Sequence, residues 1–234
     1  MVYTPARALL FYFNFMDSRR IAEILLSVKA VKISFDPPFT YTSGMKAPIY
    51  TDNRVLVSYV SERKEVVDGL CELAAQVCAQ RGWNASEVVY AGTATAGIPW
   101  ASFVAMELKA PMVYVRPKPK EHGAGKQIEG NLVEASKTVV VEDLVTTGGS
   151  SLKTIDVLKA EGKSESSDVI AIFTYGFPPT YKMFEEQGVA LHTLTDFDTL
   201  LDVAKEKGMI TQEQFEKVLE YKADPQGWAA KMGL

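Results

Sequence analysis

The stretch Thr138–Leu152 reads TVVVEDLVTTGGSSL and changes character three times along its length. Thr138 to Val141 is a short β-branched run bounded by charge, the pattern of a strand buried on both faces of a parallel sheet. Glu142 and Asp143 follow at the strand's carboxyl end, where open α/β sheets bind their ligands. Thr146-Thr147-Gly148-Gly149-Ser150 is a run of small hydroxyl and glycine residues. Leu152, Ile155, Leu158 and Lys159 then fall at helical spacing.

A glycine- and hydroxyl-rich turn entering a helix offers free backbone N–H groups, side-chain hydroxyls and the positive end of the helix dipole. Such a turn cradles a phosphate monoester. The two carboxylates ahead of it repel phosphate, but they accept hydrogen bonds from sugar hydroxyls or help hold Mg²⁺. A phosphate end and a diol end together describe a ribose 5-phosphate site. A buried strand, a polar turn and a helix cap is the plainer account of the acids alone; the whole string favours a ligand. The chain contains no G-x-x-x-x-G-K-[ST], and no G-x-G-x-x-G opens a βαβ unit, so a P-loop and a dinucleotide fingerprint are excluded.

VVVEDLVTTGGSS resembles the phosphoribosyl pyrophosphate (PRPP) motif of the type I phosphoribosyltransferases, and the orotate branch of that family most of all. The resemblance implies that Glu142, Asp143, Leu144, Val145, Thr146, Thr147, Gly148, Gly149 and Ser150 bind PRPP. It also implies Mg²⁺ as cofactor, held mainly by PRPP itself rather than by a protein cage.

Val88-Val89-Tyr90 reads as another strand and runs into Ala91-Gly92-Thr93-Ala94-Thr95-Ala96-Gly97-Ile98-Pro99. Small residues let a backbone approach an anion closely, and Pro99 suits the first turn of a following helix. In the resembled family this loop holds pyrophosphate, which assigns Thr93, Ala94 and Thr95 to PRPP. A plain βα turn is the alternative.

Met112 to Val115 is a further strand. It leads into Arg116-Pro-Lys118-Pro-Lys120-Glu-His122-Gly-Ala-Gly125-Lys126-Gln-Ile-Glu-Gly130, a composition expected neither to form a helix nor to bury a core. A solvated loop is the bland account. The spacing of Arg116, Lys120 and His122 is similar to the basic constellation of the orotate enzymes' mobile loop, with Pro117 where some members carry a second Lys. Cations brought to a departing pyrophosphate stabilise its growing charge and exclude water. Histidine is the side chain whose unperturbed charge change falls near neutral pH, which makes His122 a further candidate cation. The resemblance thus implies Lys120, His122 and Asp143 as catalytic residues, and Arg116 as a PRPP ligand.

Alternating bulky and polar residues from Phe39 to Arg54 suggest two short strands turning at Ser43-Gly44. The string is similar to a pattern of the orotate enzymes close to F-T-x-x-S-G-x-x-[SA]-P-x-Y, which implies a hood over the base. This match selects orotate over purines. A planar anion suits a cation and an aromatic face, which points to Lys46 and Tyr50; the resemblance implies Thr146 as a further orotate-binding residue. Thr42 stands where some members carry Lys, and no Arg follows the strand Asp168–Tyr175, where some members have one.

The remaining chain is quieter. At 234 residues, 47% hydrophobic and 23% charged, it fits one globular unit. Its net charge of -4 gives no bulk attraction to nucleic acid. Cys71 and Cys78 lie two helical turns apart, too far to bridge, and read as core thiols of a reducing compartment. The apolar run Leu9–Phe13 is far short of the roughly 20 residues that span a membrane, so no membrane association and a cytoplasmic location are expected. Asp17 or Ser18 caps a first helix with Ile21, Ile24, Leu25 and Val28 on one stripe. Residues 59–80 read as a long helix ended by Gly82, and 197–207 and 211–222 as two more. Thr211 and Gln214 form a capping box. His192, in strand-like Val189–Leu194, reads as structural. The tail, through Asp224-Pro225 to Trp228, also resembles the family.

The expected fold is α/β: a mostly parallel sheet flanked by helices, the type I phosphoribosyltransferase fold. Residues 1–58 are expected to supply a first helix and hood, 59–195 the PRPP-binding core and 196–234 a helical tail, acting as one functional domain. The resemblance implies transfer of ribose 5-phosphate from PRPP to orotate by a homodimer whose loop is shared across subunits. A purine phosphoribosyltransferase and a PRPP-sensing regulator of the same fold are the alternatives.

Overall fold

The computed structural model describes residues 17–41, 44–119 and 125–233. Leu9–Phe13, Thr42, Ser43, Lys120 and His122 lie outside the described residues.

Helix α1 (Ser18–Ser27) starts where Asp17 accepts the Arg19 N–H at 2.9 Å, and it buries Ile21, Ile24 and Leu25. Four short strands follow: β1 (Val31–Ile33), β2 (Phe39–Thr40), β3 (Lys46–Ala47) and β4 (Ile49–Thr51). The expected hairpin is the antiparallel pair β2–β3. Sequence reading overlooked the second pair, β1–β4, and the 3-10 turn Asn53–Ser58 behind it. Helix α2 (Val60–Arg81) closes on Gly82 at φ 67°, the left-handed cap its glycine allows.

The main sheet is built from β5 (Val89–Thr93), β6 (Met112–Val115), β7 (Ile128–Glu129), β8 (Lys137–Val145), β9 (Glu165–Thr174) and β10 (Ala190–Asp196). Their order is β10-β9-β8-β5-β6-β7, parallel throughout except for β7, which runs antiparallel to β6 at the edge. Helices α3 (Gly97–Leu108), α4 (Gly149–Ala160), α5 (Pro178–Glu186), α6 (Phe197–Glu206), α7 (Gln212–Ala223) and α8 (Trp228–Lys231) complete the chain. Along β8, Val139 and Val141 join the core formed with α1, α2, α3 and α6, while Val140 joins a second core with α4 and α5. A strand covered on both sides has no wet face, which explains its unbroken apolar run.

Three expectations need correction. β8 extends to Val145, so Glu142 and Asp143 lie within the strand; the backbone of β9 pairs alongside as far as Thr174. β5 likewise runs through Gly92 and Thr93, leaving only Ala94–Ala96 as turn. The basic segment does reach the core at its far end: Gln127 is buried, and Ile128 packs against the second core. Gly176-Phe177 leads into α5, which opens on Pro178 because proline suits the first helical position. Of the two thiols, Cys78 is buried and Cys71 half-buried, and both are free. No described helix is long and apolar enough to cross a membrane.

The tail is tied into the body through Trp228. Its ring is fully buried, donates from Nε1 to the Lys217 carbonyl at 2.9 Å and meets Tyr221 edge-on at 5.9 Å. Helix α8 in turn lies against β3 of the hood hairpin. Trp228→Ala should cost about 3–5 kcal/mol of stability. The expected readout is a lower urea midpoint with an unchanged m-value.

Candidate active site

From β5 the chain moves outward through α3 to β6. From β8 it moves the opposite way through α4 to β9. The sheet's progress therefore reverses between β5 and β8, and open α/β sheets bind ligands outside the carboxyl ends of such a pair. Both turns singled out from the sequence lie at that crevice.

After β8, Gly148 has φ 80°, and a Cβ on it would strike the Phe184 ring of α5. Only glycine satisfies both demands. Leu152 is the first α4 amide to find a carbonyl, Gly148's at 3.0 Å. The amides of Gly149, Ser150 and Ser151 precede it and have no acceptor inside the helix. The turn is braced from β9 and α5. Thr174 Oγ1 donates to the Val145 carbonyl at 3.0 Å, and Thr180 Oγ1 to that of Thr146 at 2.8 Å.

After β5, the Ala94 N–H donates to the Val115 carbonyl at 3.0 Å, and Thr95 is exposed in the turn. Gly92 lets α3 sit close: a Cβ there would lie 2.9 Å from Ile98 Cα. The buried Thr93 hydroxyl donates to that of Thr154 at 3.2 Å, linking β5 to α4. Two helix starts are thus fixed side by side.

The two acids leave β8 on opposite sides. Glu142 is 4% exposed; its Oε1 accepts from Ser150 Oγ at 3.1 Å and Ser151 Oγ at 3.2 Å. Its Oε2 lies against Gly97 at the start of α3. Burial, and then the charge of Asp143, push the Glu142 carboxyl up to about 8. Asp143 faces the hood. Burial pushes it up to about 6, while backbone N–H groups and the Arg54 guanidinium work against that rise. At neutral pH Asp143 is mainly ionised and Glu142 mainly protonated, so neighbouring carboxyls take different roles.

Sequence reading missed the residues that connect the hood to Asp143. Asn53 is fully buried, and its Nδ2 donates to the Asp143 carbonyl at 2.6 Å. Arg54 is held by Asp52, through Nε at 2.6 Å and Nη2 at 2.9 Å, and lies within electrostatic reach of Tyr50 and Asp143. The available signal was Asp52 as a cap: it accepts the Arg54 N–H at 3.2 Å. Tyr50 is exposed beside Phe39, ring centroids 5.6 Å apart. Lys46 is half-buried on β3, in register with Thr40. Beyond β9, where no Arg follows, Tyr175 stacks on Phe177 at 5.4 Å and its hydroxyl lies 3.0 Å from Thr51 Oγ1.

The basic segment is closed at its base. The Arg116 N–H donates to the Gln127 carbonyl at 2.9 Å, and Gln127 Nε2 returns a bond to the Arg116 carbonyl at 2.8 Å. Lys153 of α4 donates to the Pro117 carbonyl at 2.8 Å. Arg116 itself lies 3.6 Å from Glu129. His192 lies 3.2 Å from Asp168, a strand-edge pair away from the crevice. Among the described residues no three His, Cys, Asp or Glu side chains group as a metal cage. Glu142 and Asp143 still fit Mg²⁺, a hard cation that takes one or two carboxylates when phosphates complete its shell.

The folded protein binds the Glu142 proton more tightly than the unfolded chain, whose carboxyl titrates near 4.5. That stabilisation is complete below about pH 4.5 and disappears as pH rises through about 8. Glu142→Gln should remove most of the fall across that window, a difference of roughly 2–4 kcal/mol between its ends. Urea unfolding at a series of pH values measures it; parallel curves for both proteins would contradict the assignment.

The profile of the phosphoribosyl transferase domain matches residues 58–185. The chain is 44% identical over 213 residues to an orotate phosphoribosyltransferase of Lactococcus lactis subsp. cremoris (strain SK11), covering 91% of this chain and 99% of the relative. It is 47% identical over 206 residues to that of Bacillus pumilus (strain SAFR-032), covering 88% and 94%. The crystal structure of the Aeropyrum pernix orotate phosphoribosyltransferase superposes with a TM-score of 0.68 at 30% identity, covering 82% of this chain and 99% of that one. A profile match over more than half the chain, near-complete overlap with these relatives and the crevice at the β5–β8 reversal agree: the chain belongs to the phosphoribosyltransferase family, in its orotate branch.

Proposed function

We propose that the crevice transfers ribose 5-phosphate from PRPP to orotate, giving orotidine 5′-monophosphate and pyrophosphate. The observation that carries this reading is the pair of helix-starting turns meeting at one sheet reversal, with an ionised Asp143 beside them. The 5-phosphate sits on Thr146–Ser150, where three amides without helical acceptors point. Pyrophosphate takes the Thr93–Thr95 turn and the cations Arg116, Lys120 and His122. Glu142 and Asp143 meet the ribose hydroxyls. Orotate lies towards Tyr50 and Lys46, with Thr146 at its ribose side.

The bond from the ribose anomeric carbon to pyrophosphate breaks first in the transition state, and pyrophosphate leaves with the bonding pair. Asp143 stabilises the positive charge left on the ribose. The ring nitrogen of orotate supplies the new pair and releases its proton, so no protein nucleophile is needed. Mg²⁺ bound with PRPP would neutralise charge on the pyrophosphate oxygens. A homodimer sharing the basic segment across subunits, and a cytoplasmic location, belong to the same proposal.

Incubation with PRPP, Mg²⁺ and a panel of bases tests it. Orotate should be consumed and pyrophosphate released. Consumption of adenine or hypoxanthine with orotate untouched would establish a purine enzyme instead, and RNA or DNA binding with no pyrophosphate release a regulator. Lys120→Ala should lower kcat about 100-fold or more while changing PRPP affinity little, because charge on the leaving group grows only in the transition state. Equal losses in both would mark a ground-state contact.

A further inference from the structure

We propose that Arg54, oriented by Asp52, is the residue that reads the carboxylate of orotate. This rests on the reading of orotate as the acceptor base. A base bearing a carboxylate cannot be buried cheaply without a cation opposite it. On that reading the base lies between the ribose at Asp143 and the aromatic face of Tyr50. The nearby Thr51 and Tyr175, hydrogen-bonded to each other, carry no charge. Besides Lys46 on β3, Arg54 is a cation of the hood, and it lies within electrostatic reach of both Tyr50 and Asp143.

Its geometry suits a second carboxylate. Asp52 takes Nε and one hydrogen of Nη2, at 2.6 and 2.9 Å. A guanidinium has five donors in a planar fork, so Nη1 and the outer hydrogen of Nη2 remain as a second edge. The side chain is 65% exposed, which leaves that edge open. Its origin is fixed: the neighbouring Asn53 is fully buried and bonded to the Asp143 carbonyl at 2.6 Å. Lysine would be a poor substitute, because a point charge lacks the fork that fixes a planar acid in register.

The experiment is a competition between orotate and 5-fluorouracil, the same ring system without the carboxylate. The ratio of the two nucleotide products reports the ratio of their kcat/KM values. Arg54→Ala should lower that ratio about 10- to 100-fold, chiefly through a higher KM for orotate, with PRPP affinity and Tm little changed. Arg54→Lys should recover part of the loss, and Asp52→Asn should give a smaller loss in the same direction. A ratio unchanged in Arg54→Ala, whether both activities stay or both fall together, overturns the proposal while leaving orotate as the acceptor. Failure of the unaltered protein to use orotate would overturn both.

Discussion

Two helices that start side by side present like ends to one another. Each start carries roughly half a positive charge on amides that nothing inside the helix accepts. α3 and α4 are forced into this arrangement because β5 and β8 are neighbours whose connections leave in opposite directions. Something negative must sit between them. The Glu142 carboxyl spans the two starts: one oxygen accepts from both α4 serine hydroxyls, and the other lies against the start of α3. Under the proposed function, a substrate with a phosphate at each end of a sugar supplies that charge. The topology therefore selects the ligand class before any individual side chain does.

The same position explains why the two acids cannot be equivalent. Successive residues in a strand point to opposite faces, so Glu142 goes to the helix starts and Asp143 to the hood. Burial and the neighbouring Asp143 charge favour the neutral form of Glu142, against the hydrogen bonds from Ser150 and Ser151. Asp143 has backbone amides and Arg54 near it, which favours the charged form. The pair is divided between a group that joins two helix starts and a group that faces the hood.

How much of this could be read from the sequence follows from where each signal resides. The buried strand, its glycine turn and the long α2 with its Gly82 cap are encoded within a few consecutive residues. Periodicity and turn chemistry reveal such features directly. The end of β8 was placed early because two adjacent carboxylates look like a loop. Only the β9 backbone beside them and the serines of α4 make strand geometry tolerable there. β7 is invisible for a similar reason: two residues at the end of a proline- and glycine-rich segment become a strand by pairing with β6. Asn53 and Arg54 carried only a capping signal; their link to Asp143 spans about ninety positions of sequence.

That long span has a consequence for how the base recess is built. Phosphate binding is assembled from local turns, each following its own strand. The proposed base site draws on distant pieces: Tyr50 and Arg54 from the hood, with Tyr175, after β9, behind them. The Tyr41 hydroxyl donates to the Ile49 carbonyl at 2.7 Å and lies 3.4 Å from that of Tyr175, so the hood is fastened to the sheet by hydroxyls rather than by apolar packing alone. Trp228 supports the hairpin from behind through α8. Substitutions in the hood can therefore change which base is accepted without disturbing the turns that hold the sugar phosphates. A fold that keeps recognition of the shared substrate separate from recognition of the variable one can serve several bases with one phosphate-binding frame.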